Sequence, residues 1–396
     1  MNNPDGAWLL DPEITYLNHG SLGSCPAPVL QAQAKWRQEL ETRPIQFLLR
    51  DLSARMADVR SSLGQLIGCA PDDLALMPNA EACINAVLRS LDFSPGDEIL
   101  STTHDYNACL NSLDFVAARW GAKVVRAGIP FPITDSSEVT SSILAHVTGR
   151  TRLAMVSHIT SATGLVFPIQ DIVAELESRG VEVIVDGAHA PGQINLDLDR
   201  IGASYYAGNC HKWLCCPKGT GFLHVRSDRQ SKIHPLIISH GMNDPRTDIS
   251  LFRKEFDWQG VTDPSGFLSI PTAISFLGSL MPGGIPALAA RNHDLALSSR
   301  ASLCPILRVE PPSPGSMIGS MASFPIDHLA PEPEVRLRLE TMVRERHHIE
   351  IPMIRWRPTA DTERWTLRVS CQIYNEDSDI DRLAGALAAS LQELGI

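Results

Sequence analysis

The chain of 396 residues is predicted to be an α/β protein, with a mostly parallel sheet flanked by helices and a smaller C-terminal α+β domain. Through the first two thirds, short apolar runs alternate with amphipathic helical stretches, which is typical of a parallel sheet covered on both faces. The length exceeds what one core comfortably organises, so a large domain with a smaller companion is expected. Beyond Pro264 the alternation changes, and we place the second domain there.

Each element follows from a local pattern of apolar residues. Helical periodicity predicts helices over residues 28–41, 81–91, 169–178 and 270–280. Apolar runs predict strands over residues 98–101, 122–125, 152–157 and 181–185. The Pro- and Gly-containing segments 281–284 and 311–315 interrupt the C-terminal third and predict loops. The sequence shows no internal repeat, so a globular fold is expected throughout.

Composition and charge narrow the class of function. Hydrophobic residues make up 44% and charged residues 20%, which is typical of a soluble enzyme. No apolar run reaches the roughly 20 residues that a membrane span needs, so no membrane partner is expected. The formal net charge of −11 argues against a nucleic-acid partner but leaves room for a local pocket that binds a small anion.

Cysteine usage and the N-terminus indicate the compartment. The nine cysteines are scattered without metal-ligand spacing, so we expect buried free thiols in a reducing environment and no metal site. The first residues have neither the basic start nor the apolar core of a signal peptide. A cytoplasmic location is therefore the expectation.

Two side chains carry the strongest chemical signal. Asp186 directly follows the apolar run 181–185, and ligands of open α/β sheets gather at the carboxyl ends of strands. Lys212 lies between an aromatic segment at 204–206 and the mostly apolar segment 213–216, so partial burial is expected to lower its pKa. A lysine that can hold an aldehyde as a Schiff base and a carboxylate that can keep a pyridine nitrogen protonated together suggest pyridoxal phosphate. Alone, either residue has an ordinary alternative, a turn or helix cap for Asp186 and a solvated charge for Lys212.

The motifs around these residues resemble the class V aminotransferases, and most closely their isopenicillin N epimerase-like branch. The resemblance is carried by Asp-Gly-Ala-His-Ala-Pro-Gly at 186–192, Asn-Cys-His-Lys-Trp at 209–213 and Pro-Lys-Gly-Thr-Gly-Phe-Leu at 217–223. It extends from Tyr16 to Ser370, nearly the whole chain. It implies fold type I, a Schiff base of pyridoxal 5'-phosphate on Lys212, and a homodimer with cofactor sites near the subunit boundary.

The resemblance also implies a division of the chain into three parts. Residues 1–20 would form an N-terminal segment that closes over the active site. Residues 21–264 would form the large cofactor-binding domain, and residues 265–396 the small C-terminal domain.

On the cofactor ring, the resemblance makes Asp186 the partner of the pyridine nitrogen. His189 would contact the ring face or the phenolic oxygen, with a core histidine as the alternative. Tyr106 would stack on the ring, which fixes its plane and excludes water, although a core tyrosine is the rival interpretation. Ser161 or Thr163 would reach the phenolic oxygen, unless both only form a strand-end turn.

The cofactor phosphate would lie at the start of the helix that follows Pro78. Asn79, Ala80 and Glu81 occupy the family's phosphate cradle, where backbone N–H groups of a helix N-terminus bind anions. Asn209 and His211 would add contacts. Glu81 departs from the family pattern, which has a hydroxyl residue there, and it is alternatively an ordinary first-turn helix residue. A second departure is Val261, which offers no hydroxyl where the family usually has Gly-Thr donated across the dimer.

An amino-acid substrate would be held by its carboxylate. Arg368, in Leu367-Arg368-Val369-Ser370, matches the family arginine that grips the carboxylate through a bidentate pair, with an exposed strand arginine as the alternative. Asn18 and His19 would close over the substrate, although such residues also cap loops.

The reaction implied by the resemblance begins with removal of the α-proton by Lys212, which gives a quinonoid intermediate. Epimerisation, transamination and elimination all diverge from this point. No cysteine lies between Arg308 and Leu329, and the nearest, Cys304, suits core packing, so desulfuration through a cysteine persulfide is disfavoured. We predict an epimerase or racemase, with a carbon–sulfur lyase or an aminotransferase as the alternative. A non-catalytic binding protein of the same fold is a second alternative, motivated by Glu81 and Val261.

Overall fold

The computed structural model describes residues 6–330, 332–359 and 362–396. Its strands are β1 Thr15–Tyr16, β2 Leu74–Met77, β3 Glu98–Thr102, β4 Lys123–Ala127, β5 Thr151–Ser157, β6 Glu182–Gly187, β7 Tyr205–Asn209, β8 Gly221–Val225, β9 Met321–Pro325, β10 Ile349–Glu350, β11 Met353–Thr359 and β12 Thr362–Ser370. Its α-helices are α1 His19–Leu22, α2 Ala27–Thr42, α3 Pro44–Gln46, α4 Leu52–Ile67, α5 Ala80–Ser90, α6 Asn107–Trp120, α7 Ser137–Leu144, α8 Ile169–Ser178, α9 Leu198–Ile201, α10 Leu251–Asp257, α11 Ser265–Leu268, α12 Ile270–Ser279, α13 Gly284–Leu307, α14 Pro333–Thr341 and α15 Asp377–Leu394.

A seven-stranded sheet in the order β2-β8-β7-β6-β5-β3-β4 forms the centre of the molecule. β8 runs antiparallel to both of its neighbours, and the remaining pairs are parallel. The central strands are almost wholly buried, as expected for strands covered by helices on both faces. The predicted mostly parallel α/β fold is confirmed.

Helix α8 shows why the flanking helices form where they do. Its buried residues are Ile169, Ile172, Val173 and Leu176, the i, i+3, i+4, i+7 spacing that places apolar side chains on one face. That face packs towards the sheet. The observed span is the one that the periodicity predicts, residues 169–178.

The C-terminal part contains a second, antiparallel sheet in the order β11-β12-β9, with α13, α14 and α15 packed beside it. It has its own hydrophobic core, separate from those around the large sheet. Helix α12, just before it, contributes Ile270, Ala273 and Leu277 to the core of the large sheet. The domain boundary between residues 264 and 265 stays a prediction.

The N-terminal segment is docked onto the C-terminal part of the chain. β1 pairs in parallel with β10, and Asn18 forms an isolated bridge with Ser370 at the end of β12. This pairing places α1 next to β12. The N-terminal residues 15–22 and the C-terminal residues 349–370 thereby meet beside the large sheet.

Among the described residues, no single helix is long and apolar enough to cross a membrane. The bent pair Ser265–Ser279 and Gly284–Leu307 meets those requirements only when both arms are taken together.

Candidate active site

A cavity of about 250 Å³ lies at the carboxyl ends of the central strands. Strand register brings Ser157 of β5 and Ala207 of β7 to either side of Asp186 on β6. The cavity is lined by residues from these strand ends, from the starts of α5 and α6, and from α1: Ser21, Leu22, Pro78, Asn79, Ala80, Glu81, Tyr106, Cys109, Ser157, Ile159, Ser161, Asp186, Ala188, His189, Asn209, His211, Lys212 and Gly219. Lys212 and the nine residues expected to bind the cofactor, with Ser161 rather than its alternative Thr163, are all in this set.

Asp186 is a buried carboxylate without a basic partner in the described part of the chain. Its Oδ1 accepts a hydrogen bond from the Ala188 N–H at 3.0 Å, and its Oδ2 has only the Cys109 thiol, at 3.6 Å. Burial raises the pKa of Asp186. A buried carboxylate is costly unless a donor, preferably charged, meets it. A protonated pyridine nitrogen fits this place.

Lys212 lies against His189. The Nζ of Lys212 is 3.0 Å from Nε2 of His189, and the indole N–H of Trp213 donates to Nδ1 of His189 at 3.4 Å. Burial, followed by the charge of Lys212, holds the pKa of His189 well below its ordinary value, so the imidazole is neutral. Because Nδ1 accepts from Trp213, the single ring proton is assigned to Nε2 and points to Nζ. Nζ accepts this proton only as a neutral amine.

The ionisation of Lys212 agrees with that geometry. Burial lowers the pKa of Lys212 to about 8, against an opposing effect of the Asp186 charge. An amine with a pKa near neutrality is both a nucleophile and a proton acceptor. Such an amine can condense with an aldehyde and later act as a base.

The start of helix α5 offers a backbone donor to an anion. Asn79 Oδ1 accepts from the Ala82 N–H, and Asn209 Oδ1 accepts from the Ala80 N–H, each at 2.8 Å. The N–H groups of Ala80 and Ala82 are therefore used, whereas the Glu81 N–H between them has no partner among the described residues. It lies in the first turn, at the positive end of the helix dipole. Asn209 thus orients the helix as well as lining the cavity. Glu81 is itself a lining residue, so its departure from the family pattern falls within the cavity.

Two predicted ring contacts, Tyr106 and Ser161, also line the cavity. Tyr106 is 45% exposed and precedes α6, and Ser161 follows the end of β5. Tyr106 is held by its neighbour Asp105, whose carboxylate accepts from Ser101, Thr102 and Ser157 and so ties β3 to β5. His211 also lines the cavity; its Nδ1–H donates to the Thr220 carbonyl oxygen at 3.0 Å, and burial lowers its pKa. Thr163, the alternative to Ser161, instead bonds to His104 and does not line the cavity.

Arg368 is buried behind the cavity wall. It is 1% exposed, and burial lowers its pKa to about 10, so it stays charged at neutral pH. It donates to the Ser161 carbonyl oxygen at 2.6 Å and to the Ser21 hydroxyl at 2.9 Å, while its Nε has no partner among the described residues. No carboxylate pairs with it in the described ranges. A buried cation without a counter-ion, beside two lining residues, fits a ligand carboxylate.

Asn18 and His19 lie outside the cavity lining. His19 is fully buried between the Tyr374 hydroxyl at 2.7 Å and the Lys212 carbonyl oxygen at 3.0 Å, and burial lowers its pKa to about 3. Asn18 accepts from the Ser21 hydroxyl and donates to Glu350 at 3.3 Å. In this structure both residues hold helix α1, and Ser21 and Leu22 of that helix form the wall instead.

Sequence reasoning missed the contributions of Ser21, Cys109 and Ser157. Cys109 lies three residues after Tyr106 in the first turn of α6, and Ser157 closes a strand next to Asp186. The positions of Cys109 and Ser157 could be predicted from the order of helices and strands. The contact between Ser21 and Arg368 could not, because it joins residues 347 positions apart. Cys304 is buried in α13 and Val261 is 76% exposed, and neither lines the cavity. No group of metal-ligating side chains is found within the described ranges.

The fold and this set of side chains define a pyridoxal-phosphate-dependent enzyme of fold type I. The buried carboxylate, the lysine with lowered pKa and the free helix N–H fit the ring nitrogen, aldehyde and phosphate of the cofactor. The chain belongs to the class V aminotransferase family, whose model matches residues 16–383. This confirms the resemblance and the cofactor, pyridoxal 5'-phosphate.

Relatives within the family have several activities. The chain is 33% identical to isopenicillin N epimerase of Streptomyces clavuligerus, over 97% of this chain and 96% of that protein. It is 27% identical to L-cysteine desulfhydrase of Arabidopsis thaliana, over 96% of this chain and 88% of that protein. The cystine C–S lyase C-DES, solved with its product cysteine persulfide, superposes with a TM-score of 0.78 at 23% identity, covering 95% of this chain and 98% of that chain. All are enzymes, so the non-catalytic alternative is set aside.

Proposed function

We propose that this protein is an epimerase or racemase that inverts the α-carbon of an amino acid or amino-acid derivative. The observation that carries the proposal is Arg368, a buried guanidinium with an unpartnered Nε and no carboxylate partner in the described ranges, beside the cavity that holds Lys212. A carboxylate bound there would satisfy a charge that the protein itself leaves unpaired. The substrate would then bring its α-carbon into the cavity of Lys212.

Four side chains have separate roles in the proposed reaction. The cofactor, when bound, supplies an electron sink for the α-carbon. Asp186 holds the ring nitrogen protonated, Lys212 takes the α-proton, and neutral His189 orients the amine through their 3.0 Å contact. Arg368 holds the substrate carboxylate.

Inversion needs a proton delivered to the other face of the α-carbon. His19 does not suit this role, because its ring is held by the Tyr374 hydroxyl and the Lys212 carbonyl oxygen outside the cavity lining. Tyr106 lines the cavity, and burial raises its pKa, so its hydroxyl carries a proton at neutral pH. We propose Tyr106 as this donor.

The 33% identity to the isopenicillin N epimerases of Streptomyces clavuligerus and Amycolatopsis lactamdurans supports epimerisation over elimination. The cysteine positions argue against a different route, desulfuration through a cysteine persulfide. Cys109 lines the cavity but is 2% exposed and contacts Asp186, the carboxylate of the ring-nitrogen end. That placement does not suit a thiol that accepts and carries sulfur.

A carbon–sulfur lyase is the second candidate, favoured by relatives named L-cysteine desulfhydrase at 27 to 29% identity. Direct elimination needs no cysteine, so the cavity is compatible with it. Transamination begins with the same removal of the α-proton, so an aminotransferase is the third candidate.

Product analysis separates these activities. The protein loaded with pyridoxal phosphate is incubated with L-amino acids, sulfur-containing ones included, and the products are resolved by chiral chromatography and by assays for 2-oxo acids, ammonia and sulfide. We expect the D-enantiomer without release of ammonia or sulfide. Release of sulfide with pyruvate would establish the lyase instead, and a 2-oxo acid formed with pyridoxamine phosphate would establish the aminotransferase.

We also propose that the protein works in the cytoplasm as a homodimer with its active sites near the subunit boundary. Support for the dimer comes from exposed apolar side chains, including Leu22 at the cavity wall, which is 67% exposed.

A further inference from the structure

The side chain of Ser21 connects the active-site cavity with the buried guanidinium of Arg368. The Ser21 hydroxyl accepts a hydrogen bond from Nη2 of Arg368 at 2.9 Å and donates its own proton to Oδ1 of Asn18 at 2.5 Å. Ser21 lines the cavity, whereas Arg368 and Asn18 lie outside the lining. No role in binding was expected for Ser21 from the sequence, so its contact with Arg368 is a separate observation of the structure.

The guanidinium of Arg368 retains unused hydrogen-bond donors. Nη1 donates to the Ser161 carbonyl oxygen at 2.6 Å and Nη2 donates to the Ser21 hydroxyl, so both Nη groups contact residues that line the cavity. Each Nη group carries two hydrogens, and only one of each is used within the described ranges. A carboxylate that approaches between Ser161 and Ser21 would therefore find charged donors next to the Ser21 hydroxyl.

Backbone contacts place Ser21 at the guanidinium. Gly20, the residue before it, packs so closely that an added Cβ atom would lie 2.8 Å from Ser370 Oγ and 3.4 Å from Arg368 Nη2. The Ser370 N–H donates to the Leu17 carbonyl oxygen at 2.8 Å, which fixes the N-terminal segment beside β12. The Ser21 hydroxyl is therefore held by a fixed backbone, and a group fixed in advance loses little conformational entropy when it binds a ligand.

The present acceptor of the Ser21 proton is a neutral amide oxygen. The side-chain N–H of Asn18 donates to Oε1 of Glu350 at 3.3 Å, which turns the amide oxygen of Asn18 towards Ser21. Hydrogen bonds to an ionised acceptor are roughly twice as strong as those between neutral groups. A carboxylate held beside Arg368 therefore competes successfully with Asn18 for the proton of the Ser21 hydroxyl.

We propose that Ser21 is a substrate-binding residue, whose hydroxyl turns from Asn18 to the α-carboxylate that Arg368 holds. The inference rests on the proposed function, in which Arg368 binds the α-carboxylate. The guanidinium and the hydroxyl then bind one carboxylate together, so Ser21 helps to select α-amino acids over amines that lack this group. Asn18 is a positioning residue, because it acts on the substrate only through the orientation of the Ser21 hydroxyl.

Spectral titration of the holoenzyme tests the assignment without measuring turnover. The probes are L-alanine paired with ethylamine, and L-methionine paired with 3-(methylsulfanyl)propylamine, so that each amine lacks only the carboxylate of its partner. The change in cofactor absorbance gives a dissociation constant for each probe. We expect Ser21→Ala to weaken both amino acids about tenfold, the scale of a lost hydrogen bond to a charged group, and to change both amines less than about twofold.

Two further variants separate a shared carboxylate from a structural effect. Ser24→Ala is the matched control, since Ser24 is half-buried in the same segment and does not line the cavity, and it should leave all the dissociation constants unchanged. In the background of Arg368→Gln, Ser21→Ala should weaken L-alanine less than about threefold, because the carboxylate is no longer held beside the hydroxyl. Independent roles would instead give the full loss of about tenfold in both backgrounds.

Three results would overturn the role of Ser21. Unchanged or tighter binding of the amino acids by Ser21→Ala would show that the hydroxyl is a structural contact or a competitor for Arg368. Equal weakening of amino acids and amines would indicate a displaced helix α1, and additive losses in the double variant would separate Ser21 from the carboxylate. The proposed function stands in each case if Arg368→Gln weakens the amino acids selectively. Absence of any absorbance change with all the probes overturns both.

Discussion

Lys212 and Arg368 are buried cations at one site, and burial lowers the pKa of both from different ordinary values. The lysine loses its charge more readily, since its pKa falls to about 8. The guanidinium, with a pKa lowered to about 10, remains charged and lacks a carboxylate partner in the described ranges. One residue therefore suits proton transfer, and the other suits binding of a permanent anion.

The pH dependence of cofactor capture tests the ionisation of Lys212. Only the neutral amine attacks an aldehyde, and the neutral fraction rises with pH until the pKa is passed. The rate constant for incorporation of pyridoxal phosphate into the apoenzyme should rise about tenfold per pH unit below pH 8 and level off above about pH 8. Stopped-flow absorbance measures it. Asp186→Asn should move the plateau to lower pH, because the Asp186 charge raises the pKa of Lys212. A plateau only above pH 10 would show an ordinary lysine.

Substitution of Arg368 tests carboxylate binding. Arg368→Gln should raise KM for the substrate about 100-fold, the scale expected when one partner of a buried charge pair is removed. Cofactor absorbance should remain, since the cofactor's own contacts are elsewhere in the cavity. Steady-state kinetics of this variant are compared with those of Arg364→Gln, which changes the same charge on the exposed face of β12. Equal KM values for the two variants would remove Arg368 from substrate binding.

Residues of the cavity could be predicted from the sequence where they lie directly after a strand, at the start of a helix or between apolar segments. Asp186 follows a strand, Asn79 caps a helix, and Lys212 is bracketed by apolar segments. The placements of Asn18 and His19 were not, because each depends on contacts with residues more than 190 positions away. Local pattern carries no information about such contacts.

At the scale of elements, the N-terminal segment positions the catalytic lysine. Gly23 ends helix α1 with φ +68°, and a Cβ atom added there would come within 2.1 Å of the His211 carbonyl oxygen. His19, at the start of the same helix, bonds the Lys212 carbonyl oxygen at 3.0 Å. The segment therefore packs directly on the backbone that carries the amine.

Gly23→Ala tests this packing. The substitution combines strain at positive φ with a clash against backbone, and it should lower the free energy of unfolding by about 2–4 kcal/mol. Cofactor affinity should fall as well, because the Lys212 backbone must move. Gly96→Ala is the control, with φ +88° but open space around the added methyl group, and should cost about 1 kcal/mol. Denaturant unfolding and cofactor titration measure both. Equal losses in the two variants would contradict the packing argument.

The predicted bounds of helices agree best with the observed bounds where the amphipathic periodicity of the sequence is strong. Helix α8 has the predicted bounds, and α12 begins at the predicted residue 270. The antiparallel direction of β8 and the pairing of β1 with β10 were not predicted, since strand partners are chosen by tertiary packing. The fold class was therefore accessible from the sequence, and the detailed topology was not.

At the scale of the whole molecule, exposed apolar side chains indicate a surface for association. Leu236, Ile237 and Ile238 form a run that is 45%, 58% and 51% exposed, and Val261 is 76% exposed. Apolar runs of this kind mark contact surfaces in folded proteins.

Light scattering tests the homodimer. We expect a mass of twice 43.3 kDa at micromolar concentration. Ile237→Asp should weaken association at least about tenfold, because it introduces a charge into an apolar contact. Leu337→Asp, at a position that is 62% exposed on α14, is the matched control and should remain dimeric. A wild-type mass of 43.3 kDa at these concentrations would refute the dimer.

Exchange of the α-hydrogen in deuterated water tests the central claim most directly, namely that Lys212 removes the α-proton of an amino acid. Proton NMR follows the loss of the α-proton signal of an L-amino acid that perturbs the cofactor absorbance, for the wild type and for Lys212→Ala loaded with pyridoxal phosphate. We predict exchange in the wild type, a loss of about 10³-fold in Lys212→Ala, and partial recovery with added methylamine. Exchange by Lys212→Ala within tenfold of the wild type would contradict the account.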